Sequence, residues 1–421
     1  MSSAHKQLYS VPIADRPPHG PLFSKFFFPI FFTLAQIGIG SAQLLFMPLL
    51  LVPFVGKRAF ARGIEWTKDG YGRLLIAITV LFGPTSFTFT SDVPPPLDDL
   101  VQNDSQGRLQ KINLPDRLVI MANHQSYLDW IYIWIICAYA GHSRGLVIML
   151  KASLKNVPLL GWGMQLFRFI FLHRSWAADR SNLTLALRQL GKEAQSTDDA
   201  SESASLLRSE SGKRSPLWLM MFPEGTIIND DERPKSKRHA EREGIDDFET
   251  LLHPRTTGLL FCLRTLLPQI PDLQLLDITI GYPGVPFGRY PEDWYGLFSV
   301  FLKSVPPPTV HIHLHLNSHL TDPDCEIPSL STKSLTEEGE MTEETGLASK
   351  EETRAFELWL RKRWGEKEKR LKYFYKHQRF EGEREVVQVR QQHWYHWIAA
   401  CGGGGLGTAL ILAWAFWYAV R

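Results

Sequence analysis

The sequence predicts an α/β domain set between apolar segments long enough to meet a membrane. Three observations predict it. Short apolar runs alternate with longer stretches of helical character between Val93 and Phe380. Two long stretches, Phe26 to Gly56 and Ile398 to Val420, contain no charged residue at all. And the 421 residues carry a net charge of only +2 but 25 Phe and 13 Trp, so the bias is apolar and aromatic, and nothing global points to nucleic acid.

Taken in order, residues 1–25 form a polar N-terminal tail and residues 26–91 a membrane anchor. Within it, 26–56 exceeds the roughly 20 residues that cross hydrocarbon. It is too long for the apolar region of a cleaved leader and ends without a small-residue cleavage site, so a retained transmembrane helix is expected. The uncharged stretch 74–91 is shorter, rich in Ser and Thr, and broken at Gly83-Pro84. It is expected to be re-entrant or interfacial. Lys57, Arg58, Arg62, Lys68 and Arg73 follow the first anchor, against Lys6, Arg16 and Lys25 before it, and ten Lys or Arg lie between Arg354 and Arg379. Positive-inside logic places the central domain in the cytosol. Cys137, Cys262, Cys325 and Cys401 lie far apart without metal-ligand spacing, which argues against a zinc site and fits a reducing compartment.

The central domain is expected over residues 92–321, with strands at 117–121, 145–150, 216–222 and 275–282 and helices at 126–139, 176–194 and 256–266. Segments 195–215 and 322–353 are rich in Ser, Thr and Glu and read as a disordered insertion and linker. Residues 354–393 carry a basic aromatic helix, and 394–421 a C-terminal transmembrane segment edged with tryptophan and weakened by its glycines at 402–405.

The stretch NHQSYLDW places His124 and Asp129 five positions apart, between the apolar runs DRLVIMA and IYIWIICAYA. One reading is structural: Ser126 and Asp129 have the spacing of a capping box. The other is catalytic: Asp129 orients the imidazole and stabilises its charge while His124 takes a proton from a hydroxyl. A second match, His319…Asp324, sits at the edge of a polar segment on no apolar scaffold and is set aside. In MFPEGT a strand ends at Phe222-Pro223; Gly225 lets backbone approach a ligand, and Glu224 and Thr226 can bond its polar groups. In residues 151–174, Lys151 and Arg174 flank an apolar stretch with a Pro158…Gly161 turn. Such cations suit a phosphate headgroup, although snorkelling explains them equally.

In this order the pieces resemble the 1-acylglycerol-3-phosphate acyltransferase family. NHxxxxD is its first block, K-x-x-L-x-x-x-P-x-x-G…Arg its second, FPEGT its third and YPGVP (282–286) a looser fourth. HPRTTG (253–258) and the pattern near 359–375 are similar to the eukaryotic branch with lysocardiolipin and lysophosphatidylinositol acyltransferases. One departure is Ile227, where many relatives have arginine; Arg255 offers a replacement cation. The resemblance implies a glycerolipid acyltransferase-like αβα fold and an endoplasmic reticulum membrane, or alternatively a mitochondrial one. It implies acyl-CoA as co-substrate, a lysophospholipid acceptor, no metal and no other cofactor. His124 would be the base and Asp129 its partner, with Lys151, Arg174, Phe222, Glu224, Gly225, Thr226 and Arg255 at the substrates. Backbone N–H groups at the following helix start would stabilise the oxyanion. Without a G-x-S-x-G elbow or a cysteine beside this histidine, no acyl-enzyme is required. Two alternatives stay open: a CoA-independent transacylase using the same pair, and a non-enzymatic lipid-binding or tethering protein built around the basic helix.

Overall fold

The structure is a computed structural model that describes residues 8–92, 96–104, 108–173, 175–195, 215–330 and 348–420. Its strands are β1 (Ser86–Ser91), β2 (Val101–Asn103), β3 (Leu109–Ile112), β4 (Arg117–Ala122), β5 (Leu146–Lys151), β6 (Ile170–Leu172), β7 (Leu217–Met221), β8 (Gln274–Gly281), β9 (Thr309–Asn317) and β10 (Glu385–Gln388). Its helices are α1 (Leu22–Phe46), α2 (Gly56–Phe82), α3 (Leu97–Leu100), α4 (Asp129–Ala140), α5 (Leu160–Leu166), α6 (Trp176–Gln195), α7 (Arg233–Glu243), α8 (Thr256–Leu266), α9 (Lys350–His377), α10 (Tyr395–Ala400) and α11 (Gly405–Val420).

The main sheet runs β10-β1-β9-β8-β4-β7-β5-β6. Strands β8, β4, β7, β5 and β6 are parallel, and β9 returns antiparallel to β8. The side chains of β4 alternate between two cores, as a pleated strand requires. Leu118, Ile120 and Ala122 meet α2 and α4 through Leu74, Ile78, Ile131 and Ile135. Val119 and Met121 face α6, α8 and α9 through Leu187, Leu263 and Trp364. Because helices cover both faces, the central strands read as unbroken apolar runs. This is the three-layer αβα arrangement.

The 74–91 segment is corrected: it is not a membrane element. Residues 74–82 complete α2, and Ser86–Ser91 is β1, held between β9 and β10 with Phe87 and Phe89 fully buried. Burial in the sheet accounts for its lack of charge. The basic helix is corrected too. α9 ends at Gln378 in a left-handed cap, and β10 follows before residue 393. Two of its cations turn inward: Lys367 donates to the Ile278 carbonyl at 2.5 Å and pairs with Asp277, and Arg363 meets Asp277 at 3.0 Å. Most of the 195–215 insertion and residues 331–347 of the 322–353 linker lie outside the described residues; before them, Ile327 and Leu330 are buried in the core. The tail is anchored by Arg16, which donates to the Trp294 carbonyl at 2.7 Å.

Among the described residues, Leu22–Leu51 is the one helical stretch long and apolar enough to cross a membrane. It nevertheless lies antiparallel along α2, with Phe28 against Phe82 at 5.4 Å and Gln43 donating to Thr67 at 3.3 Å. α2 packs on α4 in turn, Tyr71 lying 4.9 Å from Trp134. Phe26, Phe27, Ile30 and Leu34 stay exposed on the outer side of α1. The C-terminal apolar run forms α11, 16 residues long, which is shorter than the roughly 20 of a full span. Its glycines are packing devices: a Cβ on Gly402 would lie 2.4 Å from the Gly38 backbone, and one on Gly403 2.3 Å from Trp66.

Candidate active site

In an open α/β sheet, ligand sites form beyond the carboxyl ends of parallel strands. The candidates gather there. His124 follows β4, the FPEGT run follows β7, YPGVP follows β8, and Lys151 ends β5. Arg174 lies outside the described residues. Lys151 and Arg255 are exposed, and Thr226 is half-buried.

His124 Nδ1 meets Asp129 Oδ2 at 2.9 Å, and Asp129 is fully buried. The same oxygen accepts the N–H groups of Gln125 at 2.7 Å and Ser126 at 2.9 Å. Its partner Oδ1 accepts the Tyr282 hydroxyl at 2.6 Å. A carboxylate so placed assigns the proton of neutral His124 to Nδ1 and turns Nε2 away from Asp129 as the acceptor. The imidazole keeps a side-chain exposure of 15% and stacks on Phe222, ring centres 4.0 Å apart. The anticipated capping box is half formed. Asp129 bonds back to Ser126 N–H, but the Ser126 hydroxyl, which donates to the Tyr295 carbonyl at 2.9 Å, accepts from Leu128 N–H and not from Asp129 N–H, whose bond goes to the Ser126 carbonyl.

Glu224 turns into the protein. It is 3% exposed, and its oxygens accept the N–H groups of His124 at 3.3 Å and Leu252 at 3.4 Å. Burial pushes its pKa up to about 8, against the opposing pull of those N–H groups. Gly225 has φ +77°, which favours glycine, and a Cβ there would come within 3.3 Å of the Arg255 side chain. Arg255 N–H in turn donates to the Pro223 carbonyl at 2.8 Å. Ile227 is buried, and Ile228 N–H donates to the His124 carbonyl at 3.2 Å.

Two groups of this site escaped the sequence reading. Tyr282 stood inside YPGVP, with only its place at a strand end to mark it. Glu292 had no signal: its Oε2 accepts Tyr127 N–H at 2.9 Å across 165 residues. With Asp129 and Glu224 it completes a set of three carboxylates that take up the four consecutive N–H groups 124–127. Leu128 and Asp129 N–H groups bond Ser126. The helix-start N–H groups expected to stabilise an oxyanion are therefore already engaged. The decoy also separates: His319 is exposed and approaches Asp322, at 3.8 Å.

Comparison with known proteins gives the family. Residues 108–282 match the family described as Acyltransferase, and residues 349–400 the one described as Acyltransferase C-terminus. An uncharacterized acyltransferase of Schizosaccharomyces pombe is 30% identical over 88% of this chain and 90% of its own length. The 2-acyl-1-lysophosphatidylinositol acyltransferase of Saccharomyces cerevisiae is 32% identical over 60% of this chain and 66% of its own. Lysocardiolipin acyltransferase 1 of Danio rerio is 30% identical over 66% of this chain and 58% of its own. No solved structure matches. The chain belongs to the 1-acylglycerol-3-phosphate acyltransferase family, in which the lysophosphatidylinositol and lysocardiolipin acyltransferases are its relatives.

Proposed function

We propose that this protein transfers a long-chain acyl group from acyl-CoA to the free hydroxyl of a lysophospholipid, with His124 as general base. The observation that carries the reading is the buried chain Tyr282–Asp129–His124, which ends in an imidazole nitrogen facing outward beside the FPEGT turn. His124 Nε2 takes the hydroxyl proton as the oxygen attacks the thioester carbonyl. The new C–O bond forms, the C–S bond breaks, and the imidazolium returns its proton to the departing CoA thiolate. Asp129 lowers the cost of the transient positive charge. Phe222 fixes the plane of the ring. Arg255 over Gly225, with Lys151 and Arg174, supplies cations for phosphate groups, and Thr226 a hydroxyl. Glu224 acts on substrates indirectly, by holding His124 and Leu252.

The membrane contact we propose is one-sided. α1 adheres to the protein along its length, so carrying it across a bilayer would drag α2 with it. Glu65, Lys68, Asp69 and Arg73, which lie opposite α1, would then enter hydrocarbon, at about 2.5–3.5 kcal/mol for each charge at mid-bilayer, with Lys57, Arg58 and Arg62 at its edge. The outer face of α1 and the exposed Leu50, Leu51, Phe54 and Val55 instead enter one leaflet, with the basic residues at its headgroups. We place that leaflet on the cytosolic side of the endoplasmic reticulum, where acyl-CoA is supplied.

Thiol release tests the mechanism. With a long-chain acyl-CoA and a lysophospholipid together, free CoA should appear in step with new diacyl lipid. With acyl-CoA alone there should be no burst stoichiometric with enzyme. A burst would mean an acyl-enzyme, and product formed without acyl-CoA would mean a transacylase.

A further inference from the structure

Loop 123–128 carries the base but has no regular structure, so its shape depends on side chains that reach it from elsewhere. Asn123 is bonded both ways to Ile280, at 2.8 and 3.0 Å. Asp129 and Glu224 hold the next three N–H groups. The last hold is Glu292, on the single turn Pro291–Asp293, which accepts Tyr127 N–H at 2.9 Å. Burial raises its pKa to about 7; the bond from Tyr127 N–H pulls it down, and the charges of Asp129 and Asp293 add to the rise. The titratable groups facing it are Asp129 at the start of α4, Tyr282 at the end of β8 and Asp293 on its own turn.

We propose that Glu292 is a positioning residue for the His124–Asp129 pair, fixing the loop through the Tyr127 peptide. The inference rests on the reading of His124 as base. Without that hold the Tyr127 peptide is free to turn, and the loop no longer sets Nε2 at reacting distance.

Glu292→Gln keeps the hold, because the amide oxygen still accepts Tyr127 N–H. Glu292→Ala removes it. The variants are compared with wild type and His124→Ala in full-length membrane preparations, with a long-chain acyl-CoA and lysophosphatidylinositol. Glu292→Gln should keep kcat within about threefold of wild type. Glu292→Ala should lose about tenfold or more of kcat, with both KM values within about threefold, as expected of a misplaced base. A loss in Glu292→Gln as large as in Glu292→Ala, or a loss in Glu292→Ala confined to KM, would overturn the proposal. If Glu292→Ala does not fold, Glu292→Met, which fills the space but lacks the acceptor, takes its place. Activity in His124→Ala would instead sink the base itself, and inactive His124→Ala with an unchanged kcat in Glu292→Ala would sink only the role of Glu292.

Discussion

Tyr282 donates to Asp129 Oδ1 while His124, Gln125 and Ser126 share Oδ2. Tyr282→Phe leaves a buried carboxylate oxygen unpartnered, a change worth about 1–3 kcal/mol. Steady-state kinetics should show kcat reduced by about tenfold to a hundredfold on an intact fold; wild-type kcat would reduce Tyr282 to a packing residue. Asp129→Asn should be more severe, while Asp324→Asn, beside a histidine that approaches another aspartate, should match wild type. Glu224 links the site to pH. Burial lifts its folded-state pKa from 4.5 to about 8. Folding therefore binds a proton there, and the resulting stability is full below about pH 4.5 and lost as pH rises through about 8. Thermal unfolding of Glu224→Gln should vary less between pH 7 and 9 than that of wild type. An equal slope would show that Glu224 is ionised in the fold at neutral pH.

α9 is tied to β8 by a buried ion cluster, Lys367 and Arg363 on Asp277. Removing one partner of such a cluster leaves a buried charge exposed to unfavourable desolvation, typically 3–5 kcal/mol. Lys367→Met should therefore lower the denaturation midpoint sharply, and adding Asp277→Asn should recover part of the loss; additive losses would contradict the pairing. The elements around this cluster were legible in the sequence. β4, β5, β7 and β8 are apolar runs bounded by polar residues, and α6 and α8 keep helical periodicity, so their bounds emerge within a few residues; α4 is apolar all round and shows by its length, and α9 stops well short of the 393 expected for it. β1 was hidden because a buried strand and a membrane segment both lack charge. β10 is a four-residue edge strand, too short for a pattern to establish itself. His124, Asp129 and FPEGT showed through because polar residues abruptly end apolar strands. Glu292 did not, because only the folded chain brings it to Tyr127.

For the whole molecule, the exposed apolar side chains of α1 and its following turn should carry membrane attachment. Leu51→Asp with Phe54→Asp should release the protein from vesicles of phosphatidylcholine and phosphatidylinositol in a flotation assay; undiminished flotation would mean that attachment lies elsewhere. On this account the carboxyl end of the sheet, which bears His124, would work on lipids of the same leaflet. The most direct measurement of this account is lipid product analysis of membranes containing the wild-type chain or His124→Ala. Each is supplied with one labelled long-chain acyl-CoA and, in turn, lysophosphatidylinositol, lysocardiolipin and lysophosphatidate. The account predicts a labelled, fully acylated product from at least one acceptor with wild type, and its loss by several orders of magnitude in His124→Ala at equal protein level. No product from any lysophospholipid, or the same product from His124→Ala, would contradict it.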